Sequence, residues 1–210
     1  MYIPSSFAET DLGTLHEFIE RHSFATLITA GESGTVASHL PLLLNRGSGP
    51  QGKLIGHMAR ANTHWKGADA SEAFVIFHGP HAYISPRWYE DQNVVPTWNY
   101  VAVHVYGTLR IVSDRSLLLQ TLRDTVFKYE LHRAAPWSID EPESQFLDKL
   151  LDSIVGFEIE IDRMEGKWKL SQNHTSERRS RVVDALRARG DEQSVAIADL
   201  MSESLEEHEA

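Results

Sequence analysis

The densest grouping of polar and aromatic side chains in this sequence is His57-Met58-Ala59-Arg60-Ala61-Asn62-Thr63-His64-Trp65-Lys66, directly after an apolar run. A phosphate monoester needs fixed cations and several N–H or O–H donors, and a strand leading into the start of a helix supplies both. Arg60 can offer two N–H groups to two oxygens at once. Asn62 is a good helix cap, and Thr63 and Lys66 then fall within about the first turn. The same residues also read as a capped surface helix with Trp65 packed inward, and residue types alone leave both readings open.

Two further segments have the chemistry of a ring site. In Ser38-His39-Leu40-Pro41-Leu42 the proline removes one ladder donor from a strand, which predicts an edge or a bulge with backbone groups free to bond a ligand. Pro96-Thr97-Trp98-Asn99-Tyr100 sets an aromatic beside amide and hydroxyl groups just before a strand, which suits flat-ring recognition. An ordinary edge strand and a packed corner are the alternatives. Gly47-Ser48-Gly49-Pro50-Gln51-Gly52 matches the dinucleotide fingerprint by letter, but Lys53-Leu54-Ile55-Gly56-His57 reads as another strand where that motif requires a helix. A hairpin loop is the reading for it. The eleven histidines include His78-Gly79-Pro80-His81, with a tight turn expected at Pro80. No Cys, Asp or Glu stands at a spacing that completes a tetrahedral metal site.

The elements that position these groups follow from periodicity. Asp11 caps a short helix to about His22. Strands Phe24–Thr29 and Thr35–Leu40 flank a tight turn at Gly31-Glu32-Ser33-Gly34. Lys53–Met58, Ala73–His78, Ala82–Ile84 and Val101–Val112 read as further strands, the last bent or bulged at Gly107. A helix follows Asp114 to about Leu131, and a second centres on Phe146–Leu151. Ile154–Ile161 alternates as a half-buried strand, Trp168–Ser171 is expected to extend the sheet, and two helices break at Gly190. Short strands with inserted helices predict a mainly β, α+β chain: an antiparallel barrel with peripheral helices rather than a doubly wound sheet. Domain boundaries are expected at 1–175 for the barrel, 176–202 for a helical extension and 203–210 for a disordered acidic tail.

Composition narrows the function class. At 210 residues, 41% apolar and 24% charged, the chain is an ordinary globular one. Its net charge of -10 opposes a surface that wraps nucleic acid, leaving only a local basic patch from Arg178 to Arg189. Neither a signal peptide nor an apolar stretch of about 18 residues is visible, so cytosol is the default compartment and no membrane is expected.

Together, His39-Leu40-Pro41, His57–Asn62 with His64-Trp65-Lys66, Pro96–Tyr100 and Lys169-Leu170-Ser171-Gln172-Asn173 resemble the PaiB family, as does the opening Met1-Tyr2-Ile3-Pro4. The blocks occur in matching order over nearly the whole chain. Members are described as FMN-binding negative transcriptional regulators with a split barrel similar to pyridoxamine phosphate oxidase. The resemblance implies a homodimer with FMN at the subunit interface. It places the flavin ring along the backbone of His39, Leu40, Pro41 and Leu42, the phosphate at Arg60, Asn62 and Lys66, and Thr97, Trp98 and Asn99 near the ring or ribityl chain. His57, Met58, His64 and Trp65 belong to the same cofactor set. Lys169, Ser171 and Gln172 would contact the flavin from the partner chain. A flavin-dependent oxidoreductase is the alternative, with no general acid or base to name, and a cofactor-free interaction protein is a third reading that intact Arg60 and Lys66 oppose.

Overall fold

The structure, a computed structural model, describes residues 1–31 and 34–209. Its strands are β1 (Ala8–Glu9), β2 (Phe24–Gly31), β3 (Gly34–Pro41), β4 (Leu43–Asn45), β5 (Lys53–Ala59), β6 (Glu72–Ile84), β7 (Thr97–Val112) and β8 (Ile154–Lys169). The helices are α1 (Leu12–Arg21), α2 (Arg115–Glu130), α3 (Ser144–Asp152), α4 (Ser176–Arg189) and α5 (Glu192–Glu209). The eight strands follow the order β3-β2-β6-β7-β8-β5-β4, with β1 on β8. This is the expected antiparallel split barrel, and among the described residues its strand path is open. Glu32 and Ser33, the centre of the expected β2–β3 turn, lie outside the described residues.

The chain divides into two compact units. The first comprises 1–18, 78–103 and 165–210, and the second 19–77 and 104–164.

In the second unit β2 lies between β3 and β6, and β5 between β4 and β8. Leu27, Leu54, Val75, Phe77, Leu109, Phe157 and Ile159 are buried there at the period of two that the sequence displays. The 47–52 glycine-rich segment is the β4–β5 hairpin loop and opens no helix. β7 runs on through Gly107 without a break. A Cβ on Gly107 would lie 2.0 Å from the Glu160 carbonyl oxygen, so the glycine is there to let two backbones approach. Asp114 caps α2 by accepting from Ser116 N and Leu117 N.

In the first unit, Asp11 accepts from Thr14 N at 2.8 Å to start α1, and Phe18 of α1 packs on Trp168, ring centroids 5.2 Å apart. The two short strands read around Pro80 are one strand, β6. Burial falls on Ala73, Val75 and Phe77, then on Pro80, Ala82 and Ile84. The buried face changes near Gly79, where any Cβ would strike the Phe18 ring at 2.7 Å. β6 runs on through Gly79-Pro80 in place of the expected turn. β8 outlasts its alternating apolar pattern because Lys167 pairs with Ala8 of β1. Gly190, at φ 72°, ends α4, and α5 carries helix through the acidic stretch as far as Glu209. Val182, Val183, Leu186, Ile197, Ala198 and Met201 are buried apolar residues of this helix pair.

Candidate functional site

Residues 60–66 leave β5 as a tightly bonded loop. Asn62 N donates to Ala59 O at 2.8 Å and Lys66 N to Thr63 O at 3.0 Å, which makes Thr63–Trp65 a single 3-10 turn in place of the helix expected after Asn62. Asn62 still caps it, its Oδ1 accepting from His64 N at 3.1 Å. The Arg60 guanidinium donates from Nε to Asp152 O at 2.7 Å and from Nη2 to Ile154 O at 2.8 Å, and the Arg60 amide donates to Ser153 O. One guanidinium edge therefore locks the loop to the α3–β8 junction. The other edge, Nη1 with the second Nη2 hydrogen, has no acceptor among the described residues, and Arg60, Thr63 and Lys66 are all exposed. An arginine fixed on one side and open on the other is preorganised for an anion.

Behind this loop stands His64, 3% exposed. Thr29 Oγ1 lies 2.9 Å from its Nε2 and Ser38 Oγ 2.8 Å from its Nδ1. Asn62 Nδ2 donates to the same Ser38 Oγ at 3.0 Å. Burial holds the imidazole below its ordinary value of 6.5, so the ring is neutral at pH 7. His64 thus ties β2, β3 and the loop together with both nitrogens occupied.

β3 ends the sheet. Leu42 N donates to Ser23 O at 2.8 Å, so by antiparallel alternation Ser38, Leu40 and Leu42 bond toward β2 while Thr35, Ala37, His39 and Pro41 face away. The His39 N–H and C=O and the Pro41 carbonyl are edge groups, as Pro41 predicts. The exposed His39 ring meets Thr26 Oγ1 at 3.0 Å through Nδ1.

The first unit holds a pocket of about 300 Å³ lined by Phe7, Asn93, Val94, Val95, Thr97, Asn99, Lys169, Ser171, Asn173 and His174. Lys169 Nζ donates to Thr97 Oγ1 and, at 2.6 Å, to Trp98 O. Burial and then the neighbouring Lys167 charge lower its pKa. Ser171 is a buried non-glycine at φ 64°. Its Oγ is fixed by the Tyr89 hydroxyl and by Asn99 Nδ2, both at 3.0 Å. Such a left-handed residue is held only by surroundings that over-determine it.

The remaining expected site residues fall as follows. His57 is half-buried on β5, its pKa lowered by burial. The Met58 side chain is 1% exposed and belongs to the core. Trp65 is half-buried and donates from Nε1 to Arg60 O. Gln172 is a local clip, bonding Leu170 N and Trp168 O. Trp98 is exposed and packs edge-to-face on Tyr83. The sequence reading missed Thr29 and Ser38, which hold His64, and Tyr89, Val94 and His174 around the pocket. Ser38 was within a singled-out block. The others are brought in by pairing register and loop path, for which a single sequence has no signal. Among the described residues no group of three His, Cys, Asp or Glu is placed to hold a metal.

The comparisons with known proteins bear on what this arrangement serves. A family model described as "Putative FMN-binding domain" matches residues 1–163. The chain belongs to this FMN-binding family. Over 206 residues it is 36% identical to "Protease synthase and sporulation protein PAI 2" of Bacillus subtilis (strain 168), covering 98% of each chain. The PaiB resemblance therefore holds along the whole length, and FMN is the cofactor of this PaiB-type family member. Among solved structures the fold is shared with the FAD and heme binding protein from Mycobacterium smegmatis, at 13% identity, TM-score 0.62, 82% of this chain and 78% of that one. It is also shared with the flavocytochrome Anf3 from Azotobacter vinelandii, at 13% identity, TM-score 0.59, 77% of this chain and 69% of that one. At such identities the likeness speaks for the fold alone.

Proposed function

We propose that the protein is a cytoplasmic FMN-dependent regulator of transcription that acts as a homodimer and lowers expression without reading DNA bases itself. The observation that carries the reading is the half-occupied Arg60, locked by Asp152 O and Ile154 O with its second edge open, in a loop whose Lys66 is also exposed. The donor set fits a terminal phosphate: two guanidinium N–H groups, an ammonium and the Thr63 hydroxyl, none of them paired with a carboxylate among the described residues. The His39 N–H and C=O at the β3 edge match the donor and acceptor pattern of a flavin pyrimidine ring. Thr97, Trp98, Asn99, Lys169 and Ser171 are proposed to face the ring from the partner subunit. When bound, the flavin supplies redox chemistry; the residues of this chain bind and orient it.

Direct reading of DNA is disfavoured by the state of the only basic cluster. Arg178 pairs with Asp91, Arg181 with Glu177 and Glu90, Arg187 with Asp199, and Arg189 with Asp191. Arg179 is buried, its Nη2 3.0 Å from Ser204 Oγ. Four of the five arginines are thus paired with carboxylates and the fifth is out of reach of DNA, and α5 carries Glu192 and Asp199 where a recognition helix needs donors.

The test is the visible spectrum of the purified protein. Wild type should carry flavin, and the Arg60→Ala, Lys66→Ala double variant should bind added FMN about 10² to 10³-fold more weakly, since charge-assisted bonds contribute roughly 1.5–3 kcal/mol each. Full flavin occupancy in the double variant would sink the phosphate assignment.

A further inference from the structure

The second unit carries a cleft of about 440 Å³ between α2 and the chain that follows it, and none of its lining residues belongs to the proposed cofactor site. Asp124, Phe127, Glu130 and Leu131 stand on its helical side, and residues 136–140 supply the rest. The volume lies within the ~300–1,000 Å³ range of ligand sites. Large apolar groups are left in water here. Of the sixteen residues of α2 only Leu118 is buried, whereas Phe127 is 66% exposed, Leu131 52% and Trp137 43%. Exposed side chains of this size gathered in one cleft mark a binding surface, which singly scattered ones do not.

Polar bonds clasp the following chain to the helix. Arg123 Nη2 donates to Asp140 Oδ1 at 2.6 Å, the Trp137 amide donates to Glu130 Oε2 at 3.1 Å, and Ile139 is the buried anchor of the connection. The aromatic walls are therefore positioned before any ligand arrives, which lowers the ordering cost of binding. The charge balance of the lining selects the ligand. Three of these residues are carboxylates and one is a cation. Arg123 is taken by Asp140, and Glu130 has Arg133 at 3.2 Å. Asp124 is left over: Gln120 Nε2 donates to its Oδ1 at 2.8 Å, and it makes no ion pair among the described residues. An anion would meet this carboxylate excess, and a bare metal ion lacks a set of ligands, since no group of three is so placed among the described residues. An organic cation has its charge balanced by Asp124, while its apolar body meets phenyl and indole faces that attract cations.

We propose that this cleft binds a lipophilic organic cation, an ammonium or phosphonium with an aromatic or branched apolar body, seated on Phe127 and Trp137 with its charge toward Asp124. Its use as a signal to a regulator rests on the function proposed above; the site itself does not.

The experiment is calorimetric titration of the flavin-loaded protein with tetraphenylphosphonium and, separately, tetraphenylborate, a cation and an anion of nearly one shape. Saturable one-to-one binding of the cation in the micromolar range is expected, with the anion at least ~10-fold weaker. Trp137→Ala should weaken the cation ~10-fold by removing an aromatic wall. Asp124→Asn should weaken it ~3 to 5-fold and narrow the gap between the two ions. Both positions are exposed, so flavin content and the thermal midpoint should stay at wild-type values in each variant. Absence of saturable binding in wild type, equal affinity for the two ions, or unchanged cation affinity in both variants overturns the proposal. A Phe127→Ala variant that sediments at half the wild-type mass also overturns it, because the face is then covered by a second copy of the chain. Cation binding by protein that never takes up FMN supports the site and counts against the cofactor assignment.

Discussion

His64 shows how a residue can serve a binding site without touching the ligand. Its ring nitrogens face Thr29 and Ser38, and Asn62 joins through Ser38, so the geometry of the 60–66 loop is set from beneath. His64→Ala removes the side-chain partner of Thr29, leaves Ser38 with Asn62 alone and opens a cavity. A loss of about 2–3 kcal/mol in urea unfolding is expected, with His64→Gln recovering part of it because an amide can still donate and accept. Wild-type behaviour in the alanine variant would show that the network adds nothing. The pH dependence has a definite sign. Burial lowers the pKa of His22, His57, His64 and His174 below 6.5 in the folded state. The unfolded chain therefore binds more protons, and the contribution of these groups is complete above about pH 6.5 and declines as pH falls below it. Denaturant midpoints measured from pH 7.5 down to 5 should fall for wild type and fall less steeply for His64→Gln. Sequence alone made His64 a member of the site block. That both its nitrogens are taken follows from the pairing of β2 with β3, a register that spacing within the block does not contain.

At the scale of elements, the best-read features were those whose signal is local. Asp11 and Asp114 start helices where capping requires, and Pro41 marks the sheet edge. The misread ones were decided by distant neighbours. Gly79-Pro80 is a turn signal on its own, yet β6 runs on through it with the Phe18 ring against Gly79. The sequence offers no sign that the missing side chain of Gly107 admits the Glu160 carbonyl. Gly107→Ala accordingly puts a methyl group into backbone and is expected to cost about 3 kcal/mol or more, seen as a lowered urea midpoint or insoluble protein. An unchanged midpoint would mean that β7 and β8 can part without penalty. Asn62 and its followers were read as a helix start, and the chain makes only one 3-10 turn because Arg60 and Trp65 bind the loop back on itself. A phosphate there would be gripped by side chains, with no helix terminus behind them.

For the whole molecule, the proposed arrangement of two half-sites requires two copies. Sedimentation of the flavin-loaded protein should give twice the 23.7 kDa chain mass, and a monomer at micromolar concentration with full flavin would remove the interface from the proposal. With a net charge of -10 and Arg178, Arg181, Arg187 and Arg189 paired with carboxylates, the protein should retard DNA only at low ionic strength, with binding gone near physiological salt. Specific retention of one fragment at that salt would restore direct reading. The edge of β3 has a consequence for the life of the chain before its cofactor arrives. The stretch Thr35-Val36-Ala37 is exposed and uncharged, and its outward N–H and C=O groups form a template onto which a strand of any chain can add. Only Pro41 blunts one end of it. With the flavin proposed to lie along that edge, the cofactor-free protein is expected to self-associate more readily than the flavin-loaded form, which light scattering of the two at equal concentration checks.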